Sequence, residues 1–280
     1  MILRFYVAAS ILVGIFCAFG WILKKRELFR RTASLLVMVN IFSLFLIGGE
    51  YLFGAFIFTL LGVGVYEMTG HVETNHFWGI SMALVLSLVL SYQMNWIRFL
   101  IPFYLCVSLF AFAGKKAHVA SKSYIVLFIT AVLVPCSVSL VGIYRFDPGW
   151  VIALILLLQL NDSAAYLFGK SLGKTRIFKT ISPNKSLEGY LFGTVGIVLG
   201  VLLLLTVIPL LKGYSPFEIL SLGTFIFIFG NAGDLLFSAI KRKLDIKDFS
   251  NLIPGHGGVL DRLDNILFAA PMFYLFLQGI

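Results

Sequence analysis

The chain has 280 residues, of which 60% are hydrophobic and only 12% are charged. Because about a quarter of the residues of a soluble domain are charged, this composition excludes an ordinary soluble protein and predicts an integral membrane protein. The formal net charge of +9 requires no nucleic acid partner, since basic loops beside anionic lipid headgroups account for it.

Apolar runs long enough to cross a bilayer recur along the whole chain, and we count about ten of them. In chain order they cover residues 2–23, 33–48, 51–68, 77–92, 97–114, 123–144, 150–169, 189–211, 216–240 and 259–279. The longest polar segments, 170–187 and 241–257, are too short for a soluble nucleotide-binding domain. The predicted fold is therefore all-α: a polytopic bundle of about ten transmembrane helices with no soluble domain.

The basic residues fall on alternate loops, which is typical of a chain oriented by the positive-inside rule. Of the 22 Lys and Arg residues, 18 lie in loops 24–32, 115–122, 170–187 and 241–257 or at Arg262. The other face carries Arg4, Arg98, Arg145 and Lys212. We therefore expect the two long basic loops to face the cytosol and both termini to lie outside it.

The two halves of the chain differ in their polar content. Residues 1–145 form six spans with almost no ionisable residues, whereas residues 146–280 place Asp162, Asp234, Asp261 and Asp264 within spans. Because a carboxylate at membrane depth costs about 2.5–3.5 kcal/mol, each is a functional candidate by default. We predict an amino-terminal scaffold, 1–145, and a catalytic transmembrane region, 146–280, with its loops at 170–187 and 241–257.

Polar side chains form stripes on three of the predicted helices. The ninth span carries Asn231, Asp234, Ser238, Lys241 and Arg242 at helical spacing, so these residues share one face. The tenth span does the same with Asp261, Asp264 and Asn265, and the seventh ends with Asn161, Asp162 and Tyr166. All three stripes reach the same side of the membrane, and their hard oxygen atoms suit Mg²⁺.

Two loops supply positive charge beside these carboxylates. They are "SPNKSLEG", residues 182–189, and "KRKLDIKDFSNLIPGHGG", residues 241–258. The cations suited to phosphate oxygens are Lys185, Lys241, Arg242, Lys247 and Arg262, and the glycines at 255, 257 and 258 allow close backbone approach. Metal-binding carboxylates beside such cations favour phosphoryl or nucleotidyl transfer at the membrane face.

The segment "SAIKRKLDIKDFSNLIPGHGGVLDRLDN", residues 238–265, resembles the signature of the phosphatidate cytidylyltransferases, or CDP-diacylglycerol synthases. Its Ser, basic pair, Lys-Asp, His-Gly-Gly and Asp-Arg-x-Asp all match. "NDSAAYLFGKSLGK" and "SPNKSLEG" are similar to two further blocks of that family, so the resemblance covers residues 161–265. Two positions depart from the pattern: Ala164 replaces a usual Gly, and "SPNKS" replaces Ser-Pro-Gly-Lys-Thr.

The resemblance implies that CTP and phosphatidic acid give CDP-diacylglycerol and pyrophosphate in phospholipid biosynthesis. It also implies Mg²⁺, with a monovalent cation such as K⁺ beside it, at the cytosolic face of a bacterial cytoplasmic (inner) membrane. A phosphate monoester has a second pKa of about 6, so the nucleophile is already largely ionised at neutral pH. The reaction then needs metal and cations to stabilise phosphate charge more than it needs a general base.

Carried over residue by residue, the resemblance assigns the metal to Asp234 and Asp261. The implied catalytic residues are Asp234, Asp261, Asp264, Lys241 and Arg262. The implied substrate-binding residues are Asp162, Ser182, Lys185, Ser186, Glu188, Arg242, Lys247, Asp248, His256, Gly257 and Gly258.

Other interpretations of the same residues stay open. The carboxylates of spans nine and ten are also explained as ion pairs with Lys241, Arg242 or Arg262, and Asp162 as a polar helix contact with Asn161. A CTP-dependent kinase acting on a polyprenol-type lipid is the alternative enzyme. A cation transporter is the alternative outside enzymes, although it would spread polar residues through the membrane rather than cluster them at one face.

Two further patterns are interpreted without a catalytic role. "EMTGHVETNH", with Glu67, His71, Glu73 and His76, lacks metal-ligand spacing and is taken as ordinary loop composition. Gly196 and Gly200, four residues apart, predict close helix packing either within the chain or in a homodimer.

Overall fold

The protein is described by a computed structural model, which covers residues 26–69, 123–178, 181–183, 185–254 and 257–279, with six positions among the first 18 residues. The seven long helices of the described part are α1 (Arg26–Ile47), α2 (Glu50–Thr69), α3 (Ser123–Phe146), α4 (Pro148–Leu172), α5 (Leu187–Thr206), α6 (Pro216–Lys243) and α7 (Leu260–Gly279). The all-α prediction is confirmed for these residues. Four helices, α2, α4, α5 and α6, are long and apolar enough to cross a membrane.

Helix boundaries agree with the predicted spans to within a few residues, with two informative differences. The run at 33–48 belongs to a helix that begins earlier, at Arg26, because the basic residues before it continue the same helix. The run at 189–211 is divided: α5 ends at Thr206, and a 3-10 turn, Pro209–Leu211, follows. Proline has no N–H and does not continue an α-helix, which explains the break. The predicted spans 77–92 and 97–114, and most of 2–23, lie outside the described residues.

Glycines let α4 and α5 pack closely together. A Cβ at Gly193 would lie 2.6 Å from Oδ1 of Asn161 on α4, and one at Gly196 would collide with the carbonyl oxygen of Leu160. At Gly200 it would lie 2.7 Å from Leu157. The small-residue pair predicted from the sequence therefore serves packing within the chain, while the opposite face of α5 exposes large apolar residues such as Val198 and Leu202.

Helix starts are capped at the end of the bundle where α4 and α6 begin. Asp147 accepts a hydrogen bond from the N–H of Gly149, 2.6 Å away, and Pro148 opens α4. Ser215 and Glu218 form a reciprocal capping box at the start of α6. Both devices satisfy N–H groups that have no partner inside a helix, so they fix where these helices begin.

A largely apolar cavity of about 310 Å³ lies between α1, α2, α3 and α7. Phe42, Leu60 and Leu140 are among the side chains that line it. Arg262 is the single charged residue of this lining in the part of the chain that the structure describes. The cavity therefore has a largely hydrophobic lining and one positive charge, that of Arg262 in the 238–265 segment.

Candidate active site

Three helices bring four carboxylates together at the end of the bundle opposite the capped starts. We call Asp162 of α4, Asp234 of α6, and Asp261 and Asp264 of α7 the acidic cluster. Asn265 of α7 donates to Oδ2 of Asp162 across 2.6 Å, which joins α4 to α7 directly. Asp162 and Asp264 both lie within electrostatic range of Asp234. The three predicted polar stripes therefore converge.

Lys185 reaches the cluster from the loop between α4 and α5. Its ammonium group pairs with Oδ2 of Asp234, while Ser238 lies one helical turn away with its hydroxyl 3.4 Å from Oδ1 of Asp234. Lys185 also lies over the ring of Tyr190, 5.5 Å from its centroid. The Lys185 and Asp234 side chains keep 23% and 27% of their surface exposed, so a phosphate can approach this pair.

Asp261 is the most enclosed member of the cluster, with 3% of its side chain exposed. Lys241 donates to its Oδ1 at 3.0 Å. The backbone N–H groups of Phe249 and Gly258 donate to its Oδ2 at 2.8 and 3.0 Å. This carboxylate therefore ties the α6–α7 connection to the first turn of α7, and Oδ1 is the atom with acceptor capacity to share.

Lys241 links the two carboxylates of α7. Its ammonium nitrogen lies 3.6 Å from Oδ2 of Asp264, in addition to its contact with Asp261. Oδ1 of Asp264 accepts from the backbone N–H of Asn265 at 2.9 Å. Of the ion-pair partners predicted for these aspartates, Lys241 is found at Asp261 and Asp264, whereas Asp234 pairs with Lys185, which the sequence did not suggest.

The loop after α4 is held by residues that the sequence assigned to substrate. Ser186 is nearly fully buried and caps α5 by accepting from the N–H of Gly189 at 3.2 Å. Glu188 accepts from the N–H groups of Lys174 and Thr175 at 3.0–3.1 Å and from the Thr175 hydroxyl at 2.8 Å. These contacts fold the loop back on α5 and so place Lys185.

The remaining predicted residues lie around the same end of the bundle. Arg242 donates to the carbonyl oxygens of Ile181 and Ile246 at 3.3 and 3.5 Å, which joins the two loops. Ser182 accepts at its carbonyl from the N–H of Lys185 at 3.1 Å. Lys247, Asp248 and Arg262 are exposed, Gly257 has φ +84°, and His256 lies outside the described residues.

Glu67 is a site residue that the sequence analysis missed. The structure places it in the last turn of α2, buried to 4% exposure and hydrogen-bonded to the start of α7. The interpretation as ordinary loop is therefore wrong for Glu67, whereas His71, Glu73 and His76 lie outside the described residues. The sequence does contain an indication of this role, because Glu67 is a carboxylate within the apolar run 51–68, where a charged side chain is costly.

The donor set of the cluster fits Mg²⁺ in its chemistry. Carboxylate oxygens are what this ion binds, and one or two of them suffice when substrate phosphates supply the rest. The amide oxygens of Asn161 and Asn265 are buried without a hydrogen-bond partner among the described residues, which adds hard oxygen atoms nearby. In the same part of the chain, no group of three or more His, Cys, Asp or Glu side chains is arranged to hold a metal ion, so the protein would supply at most two carboxylates.

The fold and the site together define a helical membrane protein with a recessed cluster of carboxylates and ammonium groups at one end of its bundle. The chain belongs to the cytidylyltransferase family, whose model matches residues 29–280. The resemblance in the 161–265 blocks is thereby confirmed.

Individual relatives agree with this assignment. The chain is 39% identical to the phosphatidate cytidylyltransferase of Aquifex aeolicus (strain VF5) over 59% of its own length and 60% of the relative's. It is 44% identical to the phosphatidate cytidylyltransferase of Bacillus subtilis (strain 168) over 42% and 43% of the two chains. An uncharacterized Escherichia coli (strain K12) protein, YnbB, is 41% identical over 46% and 42%. The chain thus spans between two fifths and three fifths of these curated relatives.

Proposed function

We propose that this protein is a CTP:phosphatidate cytidylyltransferase, which makes CDP-diacylglycerol and pyrophosphate at the cytosolic face of a bacterial inner membrane. The observation that carries the proposal is the acidic cluster with Lys185 and Lys241 set into it. Both lysines and all four carboxylates lie within residues 161–265, the range covered by the resemblance to the family. The names of the Aquifex and Bacillus relatives support the same reaction.

In the proposed reaction, a phosphate oxygen of phosphatidic acid attacks the α-phosphorus of CTP. One phosphorus–oxygen bond forms, the bond from the α-phosphorus to the bridging oxygen breaks, and pyrophosphate leaves. Lys185 and Lys241 are placed to bind the phosphate oxygens as charge moves onto the leaving group. Because the attacking phosphate is already ionised, no side chain is assigned as general base.

Mg²⁺ is proposed at Asp234, with Asp261 or Asp264 as the second carboxylate. Bound there, the ion would polarise the phosphoryl oxygens as a Lewis acid. Asp264 lies within electrostatic range of Asp234, while Asp261 contributes Oδ1, the oxygen it shares with Lys241. A monovalent cation such as K⁺ is proposed beside it, where the buried amide oxygens of Asn161 and Asn265 lie.

The lipid part of the substrate is assigned to the apolar cavity beside α7. Arg262, Leu263 and Ile266 of α7 contribute to its lining, while Asp261 and Asp264 belong to the acidic cluster. A lipid with an anionic headgroup matches a cavity that is apolar inside and carries one cation, and the volume is within the usual range for a ligand site.

The test is label transfer by purified protein in detergent with phosphatidic acid, Mg²⁺ and CTP labelled in turn at the α and γ phosphates. We expect α label in the lipid, γ label in pyrophosphate and equal amounts of both products. Asp234→Asn is the variant expected to be inactive, and Lys212→Ala, in the exposed turn before α6 at the other end of the bundle, is its control. Absence of α label from the lipid would refute the proposal; γ label in an added polyprenol would then assign the kinase.

A further inference from the structure

Glu67 joins the amino-terminal part of the chain to the carboxyl-terminal site. Its Oε1 accepts from the hydroxyl of Ser250 at 2.5 Å and from the N–H of Val259 at 2.8 Å. Its Oε2 accepts from the N–H of Leu260 at 2.9 Å. Both oxygens of this carboxylate are therefore directed at the backbone that enters α7.

The contacts of Glu67 satisfy groups that a helix cannot satisfy by itself. The first N–H groups of an α-helix have no partner within it, and the helix dipole favours a negative charge beside them. Leu260 is the first residue of α7, so Glu67 supplies from α2 the acceptor that a local capping side chain supplies elsewhere. Because only 4% of Glu67 is exposed, water is largely excluded from this place and cannot replace the carboxylate as acceptor for these N–H groups.

Gly258 connects this anchor to the acidic cluster. A Cβ at Gly258 would lie 2.9 Å from both carboxylate oxygens of Glu67 and from the Ser250 hydroxyl. The N–H of the same residue donates to Asp261 at 3.0 Å. Both ends of the α6–α7 connection are therefore held: Glu67 binds Ser250, Val259 and Leu260, and Asp261 binds Phe249 and Gly258.

We propose that Glu67 is a positioning residue for nucleotidyl transfer: it fixes the first turn of α7 and, through it, the carboxylates of Asp261 and Asp264. Its hydrogen bonds go to Ser250 and to the entry of α7, so its effect on turnover passes through that helix. The catalytic part of this inference rests on the proposed function, whereas the anchoring rests on the hydrogen bonds alone. The amino-terminal half is then part of the site's machinery as well as its scaffold.

The first experiment compares Glu67→Ala with Glu50→Ala, a change of the same residue type at the other end of α2. Glu50 pairs with Arg145 at 2.6 Å on the exposed surface, at the end of α2 opposite the one that contacts the start of α7. In Glu67→Ala we expect kcat to fall between about tenfold and 10²-fold, because a displacement of about 1 Å has effects of that size. The KM for CTP should stay within about twofold, since Glu67 is assigned no contact with the nucleotide. Glu50→Ala should match the wild type.

Hydrogen exchange gives a readout that does not depend on activity. Peptides covering residues 250–262 should exchange faster in Glu67→Ala, because the N–H groups of Val259 and Leu260 lose their acceptor. Glu67→Gln keeps the Oε1 acceptor but places an NH₂ group against the N–H of Leu260, so kcat and exchange should be intermediate. Ser250→Ala removes one partner of Oε1 and should give a smaller change.

The outcomes separate the parts of the proposal. Wild-type kcat and wild-type exchange in Glu67→Ala would overturn it, and faster exchange with unchanged kcat would overturn the catalytic role while leaving a structural contact. If Glu67→Ala does not fold, wild-type behaviour of both Glu67→Gln and Ser250→Ala refutes the proposal instead. If the wild type transfers no cytidylyl group, the proposed function fails, and exchange at 250–262 still decides the anchoring.

Discussion

The acidic cluster carries an excess of negative charge that its own lysines do not cancel. Asp162, Asp234, Asp261 and Asp264 supply four formal negative charges, and Lys185 and Lys241 supply two positive ones, which leaves two negative charges. One divalent cation would neutralise this excess. In the proposed function, such an ion would balance the carboxylates and would leave Lys185 and Lys241 available to phosphates. The ion pairs between these lysines and aspartates are therefore compatible with a catalytic role for the same residues.

Replacing Lys185 by Met tests the assignment of this cation to phosphate. Because Met keeps the length of the side chain and removes the charge, we expect turnover to fall by about 10²-fold or more, in the range found when one stabilising group at a developing charge is lost. Label transfer from α-labelled CTP measures it. Lys212→Met, an exposed lysine outside the cluster, is the control, and equal activity of both variants would exclude Lys185 from the reaction.

Asp261 and Asp264 should differ in what their loss does to the fold. Asp261→Asn weakens the pair with Lys241 and places an amide NH₂ against an N–H or ammonium donor, and breaking a buried pair costs about 3–5 kcal/mol. We therefore expect a lower thermal unfolding temperature in detergent together with lost activity. Asp264→Asn, in which the lost contact with Lys241 is the longer one at 3.6 Å, should lose activity with little change in unfolding temperature. Equal unfolding temperatures would contradict the structural role given to Asp261.

At the scale of elements, the position of Asp162 depends on how closely α4 and α5 approach. Gly193 and Gly196 allow this approach, since a Cβ at either would meet Asn161 or the backbone of Leu160. Asn161 precedes Asp162 and donates to its Oδ1 at 3.2 Å. Packing between these two helices therefore bears on the geometry of the cluster.

Gly196→Ala should destabilise the protein by about 1–3 kcal/mol, the usual range for overpacking. The matched control is Gly62→Ala in α2, where a Cβ would have no atom within 4 Å. There the change should be neutral or stabilising by about 0.5–1 kcal/mol, because Ala loses less conformational entropy in a helix than Gly does. Unfolding midpoints of the two variants in detergent decide the question, and a stable Gly196→Ala would show that α4 and α5 separate easily.

The sequence predicted which polar residues come together better than it predicted the contacts that hold them in place. Helical spacing alone placed Asp261 and Asp264 on one face. The start of α7 was predicted to within one residue of the observed Leu260, because the glycine-rich "PGHGG" before it is typical of a loop. The anchor at Glu67 could not be predicted in the same way, since its partners lie about 190 residues later in the chain. Similarly, the contacts of Glu188 with Lys174 and Thr175 depend on how the loop folds back, which no local pattern specifies.

At the scale of the whole molecule, the two ends of the bundle differ in charge. One end holds the acidic cluster with the loops 173–186 and 244–259, and the other holds the starts of α4 and α6 and the pair of Arg145 with Glu50. The positive-inside rule predicts that the cluster end faces the cytosol. For the proposed function, this orientation would give soluble CTP direct access to the lysines.

Cysteine labelling tests the orientation. In a background where Cys17, Cys106 and Cys136 are replaced by Ala, Lys212→Cys should react with a membrane-impermeant maleimide in intact spheroplasts. Lys174→Cys, in the loop that Glu188 holds, should react only in inverted vesicles. Both positions are exposed in the structure, so access from one side is the variable measured. The reverse pattern would place the site outside the cytosol and contradict the proposed use of CTP.

The proposed lipid site in the apolar cavity predicts that the reaction depends on the length of the acyl chains. Leu140 lines the cavity on α3, and Leu140→Trp should reduce its volume. We expect the KM for long-chain phosphatidic acid to rise by about tenfold, which corresponds to about 1.4 kcal/mol of lost binding. The KM for CTP and the turnover of a phosphatidic acid analogue with six-carbon chains should stay near the wild-type values.

Leu202→Trp is the matched control, because Leu202 is half exposed on the outer face of α5. Its kinetic constants should match the wild type for both chain lengths. Equal losses for long and short lipids in Leu140→Trp would indicate a general packing defect and would remove the cavity from the lipid path. A selective loss would place the acyl chains between α3 and α7, so that α7 separates the lipid chains on one face from the carboxylates on the other.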